Sequence, residues 1–397
     1  MSQETELFTP LALPNGTYLK NRIVKSAMSD SLGDGRGNPT GTQIRLYERW
    51  AQGGAAASII GEVQGDPRFA EKPGNLVLHD GCDREAFRAL ARRGGAEDAG
   101  IWCQLGHAGA LTPPGIGTPK GPSAIDLPEL RVAALTLAEI RALPDQFAKT
   151  AMQAESLGFS GVQVHAAHGF LLSQFLSPLF NRRTDAYGGD IGNRMKLLLE
   201  VVEAVRGSVS TSFVVALKLN SSDQLEGGLE PSEALAVIEA LDRRGLDLID
   251  ISGGTYFPGA PSSSDRASTG PYFLDFAAGA RRATGTPLMA TGGFKRREDA
   301  EAALSSGVVD VVGLARALVL DPDLPRHWQA AGPDPTFPRF EAAPAGGVTA
   351  WFTMRLNDLG EDREGQAELD ASAALEAYDA RDRQRVPLWN DAFREKP

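Results

Sequence analysis

GVQVHAAHGFLLSQF, residues 161–175, decides how the rest of the chain is to be read. A short run with β-branched residues, GVQVHA, ends at two histidines. After Gly169 a second apolar stretch begins. A strand-like run that passes straight into a different apolar segment is one strand-to-helix unit, and repeated units of this kind build parallel sheets with crossover helices. Working outward, seven further strand-like runs follow the same grammar: RIVKSAM (22–28), AASIIGEV (56–63), IWCQLGH (101–107), FVVALKLN (213–220), LDLIDISG (246–253), PLMATGG (287–293) and VVDVVGLA (308–315). Helix-period stretches such as REAFRALARRGGAEDAG, LAEIRALPDQFAKTAMQAESLG and PSEALAVIEALDRRG lie between them, several closing at a glycine as a helix end does. Eight units over roughly 300 residues predict an α/β fold, a (β/α)8 TIM barrel, rather than an open doubly wound sheet.

The flanks are read from turn chemistry. LFTPLALPNGTYLKNR carries an Asn-Gly turn between two short strand candidates and predicts an N-terminal hairpin capping the barrel floor. The Pro- and Gly-rich piece AAGPDPTFPRFEAAPAGGVTAW marks the barrel's end, giving a barrel over 1–330 and a partly helical C-terminal extension over 331–397. Within that extension ASAALEAYDARDRQ reads as helix, serving surface packing or contact with a neighbouring subunit.

Composition narrows the function. A hydrophobic fraction of 42% with 23% charged residues is that of an ordinary globular protein with a large core. A net charge of -11 speaks against nucleic acid or an anionic membrane as the main partner, which leaves a small-molecule substrate and room for a homo-oligomer. The amino end lacks the basic, apolar and cleavage-site sequence of a secretory leader, and no run of about eighteen apolar residues occurs, so a cytoplasmic location is expected. Cys82 and Cys103 fit neither a metal cluster nor a disulfide scaffold.

Barrel enzymes carry their chemistry at the C-terminal ends of the strands. That rule selects Ser26 to Asp30, Glu62 to Gln64, Gln104 with His107, His165 with His168, Lys218 with Asn220, Ser252 to Tyr256, Gly292 with Gly293, and Ala315 with Arg316. ATGGF and GLAR bring small residues and Arg316 to the last two strand ends just before helices begin, where backbone N–H groups suit a phosphate; relief of crowding at tight turns is the plain alternative. Lys218 stands among apolar neighbours, so its ammonium must pair inside the mouth, reach solvent, or face a cofactor ring that becomes negative on reduction. His165 and His168 can bind zinc with a third ligand such as Glu62 or His107, can be structural, or can aim two N–H donors at one carbonyl or phenolate oxygen. No H-E-x-x-H or cysteine-rich pattern supports the metal, and none is expected.

Together these residues resemble the old yellow enzyme family of FMN-dependent NAD(P)H oxidoreductases over about residues 5–330. HAAHGFLLSQFLSPLFNRRTDAYGGDIGNR (165–194) carries the resemblance most specifically, with NRIVKSAM, QLGHAG, ATGG and GLAR in the family's order. The resemblance implies that Ser26, Ala27 and Met28 lie along a tightly but non-covalently bound FMN, with Glu62 among the cofactor-binding residues and Gln104 on the pyrimidine edge. It places Lys218 where the family has an arginine beside N1 and O2, keeping the charge but not the forked donor. Gly292, Gly293, Ala315 and Arg316 match the phosphate site, Ala315 replacing a frequent glycine. His165 and His168 match the catalytic pair that holds the substrate's oxygen.

The activity so implied is transfer of hydride from NAD(P)H through the flavin to an activated alkene of the enone type. Two departures bear on it. Phe170 stands where much of the family has a proton-donating tyrosine, so the proton comes from water, from another hydroxyl such as Tyr256 in the substrate site, or is not needed. Ser29 stands where some members carry a cysteine or threonine that tunes the flavin. NAD(P)H:quinone or flavin reductase, or a flavin isomerase or dehydrogenase, are the related readings. A barrel lyase with Lys218 as amine nucleophile, and a flavin-binding barrel without turnover, stand outside them.

Overall fold

Val-, Ile- and Leu-rich runs that are buried on both faces suit parallel strands, because crossover helices cover one side and the barrel interior the other. The computed structural model describes residues 5–128, 130–257, 270–341, 343–365 and 369–394, and in it the eight runs are strands. They are β1 (Ile23–Lys25), β2 (Ala57–Gln64), β3 (Gly100–Gly106), β4 (Gly161–Ala166), β5 (Val214–Asn220), β6 (Leu248–Ser252), β7 (Leu288–Thr291) and β8 (Val311–Leu314). Each pairs in parallel with the next, and β8 returns to β1 through Gly313↔Val24, so the sheet closes into the expected barrel.

The barrel interior is stratified. Val24, Ala57, Ile59, Trp102, Val214, Ala216, Leu248, Met289 and Val311 form its apolar lower part, sealed from below by Leu13 and Leu19 of the N-terminal hairpin. That hairpin pairs Leu11–Ala12 with Tyr18–Leu19 in antiparallel register. Gly161 is needed here, since a Cβ would sit 2.9 Å from Cδ1 of the interior Trp102. Higher up, the inward positions turn polar, and the site lies there. Crossover helices ring the barrel; Leu137–Ser156 shows how one starts, with the Thr136 Oγ1 accepting from the Glu139 N–H while the Glu139 carboxylate accepts from the Thr136 N–H.

Beyond the barrel two helices, Gly347–Gly360 and Ala371–Phe393, lie on the molecule's own surface. Trp351, Phe352, Leu356 and Leu359 of the first join the main core. The second buries Trp389 against Ala70, Val77 and Ile116, stacks Tyr378 beneath the Lys72 ammonium at 5.1 Å, and donates from Arg381 and Arg385 to the carbonyls of Asp30 and Ser31. The predicted tail helix is therefore longer than the sequence pattern and packs on the loop after β1 of its own barrel.

Candidate active site

At the end of β4 the chain must stop being a strand and start a helix within a few residues. His168 and Gly169 do this in left-handed backbone, with φ of 62 and 80, and Phe170 opens the buried helix Leu171–Leu176. Three hydrogen bonds hold the turn. The His168 N–H donates to Asn220 Oδ1 at 3.1 Å, the His168 carbonyl accepts from the Tyr256 N–H at 3.0 Å, and Asn220 Nδ2 donates to the Gly254 carbonyl at 2.8 Å. Gly169 has no substitute, because a Cβ there would lie 2.1 Å from Thr255 Oγ1. The ends of β4, β5 and β6 are thus tied into one rim. Four rings gather on it: His165 and His168 at 5.3 Å, Phe170 at 4.7 Å from His165, and Tyr256 at 5.4 Å from His168 and 6.0 Å from Phe170.

Local bonds set what the imidazoles can do. The Ala167 N–H donates to His165 Nδ1 at 3.4 Å, so the proton of the neutral ring is on Nε2, which faces Glu62 Oε1 at 3.4 Å. His168 Nε2 shares a hydrogen bond with Ser252 Oγ at 2.8 Å. Burial pushes His168 down to about 3 and His165 well below its usual range, so both rings are neutral donors at neutral pH. Glu62 reaches them from a bulge in β2, where the register with β3 shifts between Ile60 and Val63 and its own φ is 59. Gly106 leaves the space for its carboxyl. Burial and then the neighbouring Glu71 push that carboxyl well above the usual range. Tyr256 stands exposed at the open side of the rim.

His107 stands apart from this group, stacked on Phe69 at 4.2 Å, with burial lowering it to about 4. A histidine depressed in the folded state binds its proton more readily unfolded, so it contributes stability above 6.5 that is lost as pH falls toward about 4. The His107→Gln variant is accordingly expected to lose stability less steeply than the native chain over that window, read as melting temperature against pH; parallel profiles would refute this.

Beneath the rim lies a buried polar chain. Gln104 Nε2 donates to Gln163 Oε1 at 2.7 Å, and Gln163 Nε2 donates to Asp250 Oδ2 at 3.2 Å. The Lys218 ammonium pairs with that same Asp250 oxygen. Thr291 Oγ1 donates to Asp250 Oδ1 at 2.6 Å, leaving Ser26 Oγ to donate to Thr291 at 2.6 Å. Gly313 makes room for this hydroxyl pair, since a Cβ would stand 2.1 Å from Thr291 Oγ1. Of the residues expected on the cofactor, Ser26, Gln104 and Lys218 are therefore gathered around one carboxylate. Ala27 and Met28 continue half-buried from the end of β1, where the Met28 carbonyl passes so close to Gly61 that a Cβ there would lie 2.2 Å away. Gly292 and Gly293, with φ of 133 and 85, end β7 beside Ala315 and Arg316 at the end of β8. The Arg316 guanidinium lies over the Phe352 ring of the extension at 4.8 Å.

The matching family model, described as the NADH:flavin oxidoreductase / NADH oxidase family, covers residues 6–334. The chain belongs to that family. It is an oxidoreductase whose cofactor is FMN and whose reductant is NAD(P)H. An NADH-dependent flavin oxidoreductase of Hypocrea jecorina is 34% identical over 355 residues, 80% of this chain and 87% of that relative. Among solved structures, the old yellow enzyme homologue from Zymomonas mobilis superposes with a TM-score of 0.73 at 26% identity, covering 83% of this chain and 94% of that one. Morphinone reductase does so at 0.72 and 25%, covering 85% and 92%. Other relatives are longer: the chain spans about half the length of the metal reductase of Desulforamulus reducens, 34% identical over 342 residues, 83% of this chain and 49% of that one.

The residues present fit this family's cofactor. An amide, an ammonium and a hydroxyl buried at strand ends above an apolar layer would suit the polar pyrimidine edge of a flavin, and the left-handed glycines beside Arg316 would leave the backbone open to its phosphate. Asp250, Gln163 and Thr291 are missing from the sequence-based candidates, although each is a polar residue inside an apolar strand. Asn220 and Ser252 were selected as strand ends, but their parts in holding His168 depend on contacts between loops. Among the described residues no group of three or more His, Cys, Asp or Glu could hold a metal, and no helix is long and apolar enough to cross a membrane.

Proposed function

We propose that this oxidoreductase reduces activated alkenes, compounds whose C=C bond is conjugated to a carbonyl. The observation that carries the reading is the pair of neutral imidazoles, His165 and His168, gathered on one rim above the polar chain. Bound FMN would supply the hydride chemistry that links NAD(P)H to the acceptor's β-carbon. Lys218 and Gln104 would hold its pyrimidine edge, Ser26, Ala27, Met28 and Glu62 would lie along it, and Gly292, Gly293, Ala315 and Arg316 would take its phosphate. His165 and His168 donate to the substrate's carbonyl oxygen, stabilising the negative charge that develops there as the β-carbon is reduced. Phe170 walls the substrate and has no dissociable proton; among the described residues the Tyr256 phenol is a side chain on the rim that can protonate the α-carbon.

Phe170 also favours a second reading, reduction of quinones or flavins, whose products are protonated on oxygen or nitrogen and need no carbon acid in the pocket. One experiment tests both. Purified protein should be yellow, bleach anaerobically with NADH or NADPH, and recolour with an enone; recolouring with quinones alone supports the second reading, and failure to recolour with either sinks both. In Phe170→Tyr the poorest enones should be reduced at least about tenfold faster, below the 10²–10⁴ of a well-placed general acid because the new hydroxyl enters a wall shaped for phenyl. An unchanged or lower enone rate would count against protonation as the limiting step.

A further inference from the structure

The family arginine at the pyrimidine edge is replaced here by Lys218, and in this chain that lysine is not a lone charge. Asp250, completely buried on the neighbouring strand β6, sits opposite it in register and takes its ammonium on Oδ2. The same carboxylate accepts from Gln163 Nε2 and from Thr291 Oγ1, so both of its oxygens are engaged. Two consequences follow from elementary electrostatics. The pair presents almost no net charge to whatever lies above it, where an arginine without such a partner would present a full positive one. And the carboxylate, which can only accept, forces Gln163 to turn its N–H₂ toward it and its carbonyl toward Gln104; that carbonyl in turn claims the Gln104 N–H₂. With one N–H so engaged, Gln104 has a fixed orientation and keeps its carbonyl oxygen and its second N–H to offer a cofactor.

We propose that Asp250 is a positioning residue for the flavin: it neutralises Lys218 and, through two amides, fixes the orientation of the Gln104 side chain, holding the bound FMN at a lower reduction potential than an unpaired lysine would. The inference rests on the reading that FMN's pyrimidine edge lies over Lys218 and Gln104. Lys218, Gln104 and Thr291 touch the cofactor or the carboxylate directly; Asp250 acts through them.

The test is the midpoint potential of the FMN holoenzyme. In Asp250→Asn the potential should rise, because the Lys218 charge is then unanswered. Affinity for sulfite, whose addition to a flavin is favoured by positive charge at the pyrimidine edge, should rise at least about tenfold. Asp250→Glu should return both toward the native values. An unchanged or lowered potential with FMN still bound overturns the proposal. Should Asp250→Asn not fold, Gln163→Met leaves the ion pair intact and cuts the amide relay: FMN should then bind about tenfold more weakly. Unaltered FMN affinity in that variant overturns the relay. A native protein that purifies without flavin would instead defeat the reading beneath, and the two failures are told apart by the native spectrum alone.

Discussion

Replacing both His165 and His168 by alanine is expected to lower enone reduction by about 10³-fold while FMN stays bound. The magnitude comes from the donors. Removing one hydrogen bond to a developing oxyanion costs on the order of 10²–10³ in rate, and two donors acting on the same oxygen overlap, so their losses do not multiply. The retention of FMN comes from the wiring below them. Neither imidazole takes part in the chain of Gln104, Gln163, Asp250, Lys218, Thr291 and Ser26, and the bonds the rings do make run to Ala167, Glu62 and Ser252. The backbone of the turn should persist as well, since Asn220 holds it through the His168 main-chain N–H. Phenols that bind to the native enzyme should fail to perturb the flavin spectrum of the variant. Flavin content measured on the purified variant decides the matter: its loss in parallel with turnover would assign the histidines to the cofactor instead of the substrate.

The barrel was legible because each strand is buried on both faces and mostly apolar, which makes it a nearly continuous run, and because a polar or glycine residue marks its C-terminal end. The rule that chemistry sits at those ends then selects His165, His168, Lys218, Gln104 and Glu62 as candidates. It could not find Gln163 and Asp250, which lie two residues short of the selected positions His165 and Ser252. Side chains in a strand alternate, so Gln163 shares the inward face of His165, and Asp250 that of Ser252. A polar residue two positions before a strand-end candidate is the signal that was present and unused. The C-terminal helix was legible only in part. Its pattern fades near Pro387, yet the structure carries helix through that proline to Phe393, because Trp389 is buried against the barrel and packing overrides local propensity. That the helix docks on the loop after β1 depends on Arg381 and Arg385 meeting two carbonyls far away in sequence, which no local pattern encodes.

Asp250 and Lys218 also make a stability prediction that is independent of catalysis. In Lys218→Met the carboxylate remains buried with only Gln163 and Thr291 to answer it, and removing one partner of a buried ion pair typically costs about 3–5 kcal/mol. The lowered urea midpoint of the flavin-free chain is the readout, taken as a shift because a barrel of this size need not unfold in one step. The double variant Lys218→Met/Asp250→Leu should recover most of the loss, since a well-packed apolar pair replaces an ion pair at little cost once neither charge is stranded. Recovery in the double variant is what distinguishes a stranded charge from lost packing: if the methionine were merely a poor fit in the barrel, adding leucine beside it would lower the midpoint further. Additive losses in the two single variants would therefore refute the coupling between the two side chains. The same double variant should bind FMN weakly despite its restored stability, because the ammonium and the acceptor that orders Gln163 and Gln104 are both gone. Stability and cofactor affinity are thus expected to separate at this pair, recovering in one measurement and failing in the other.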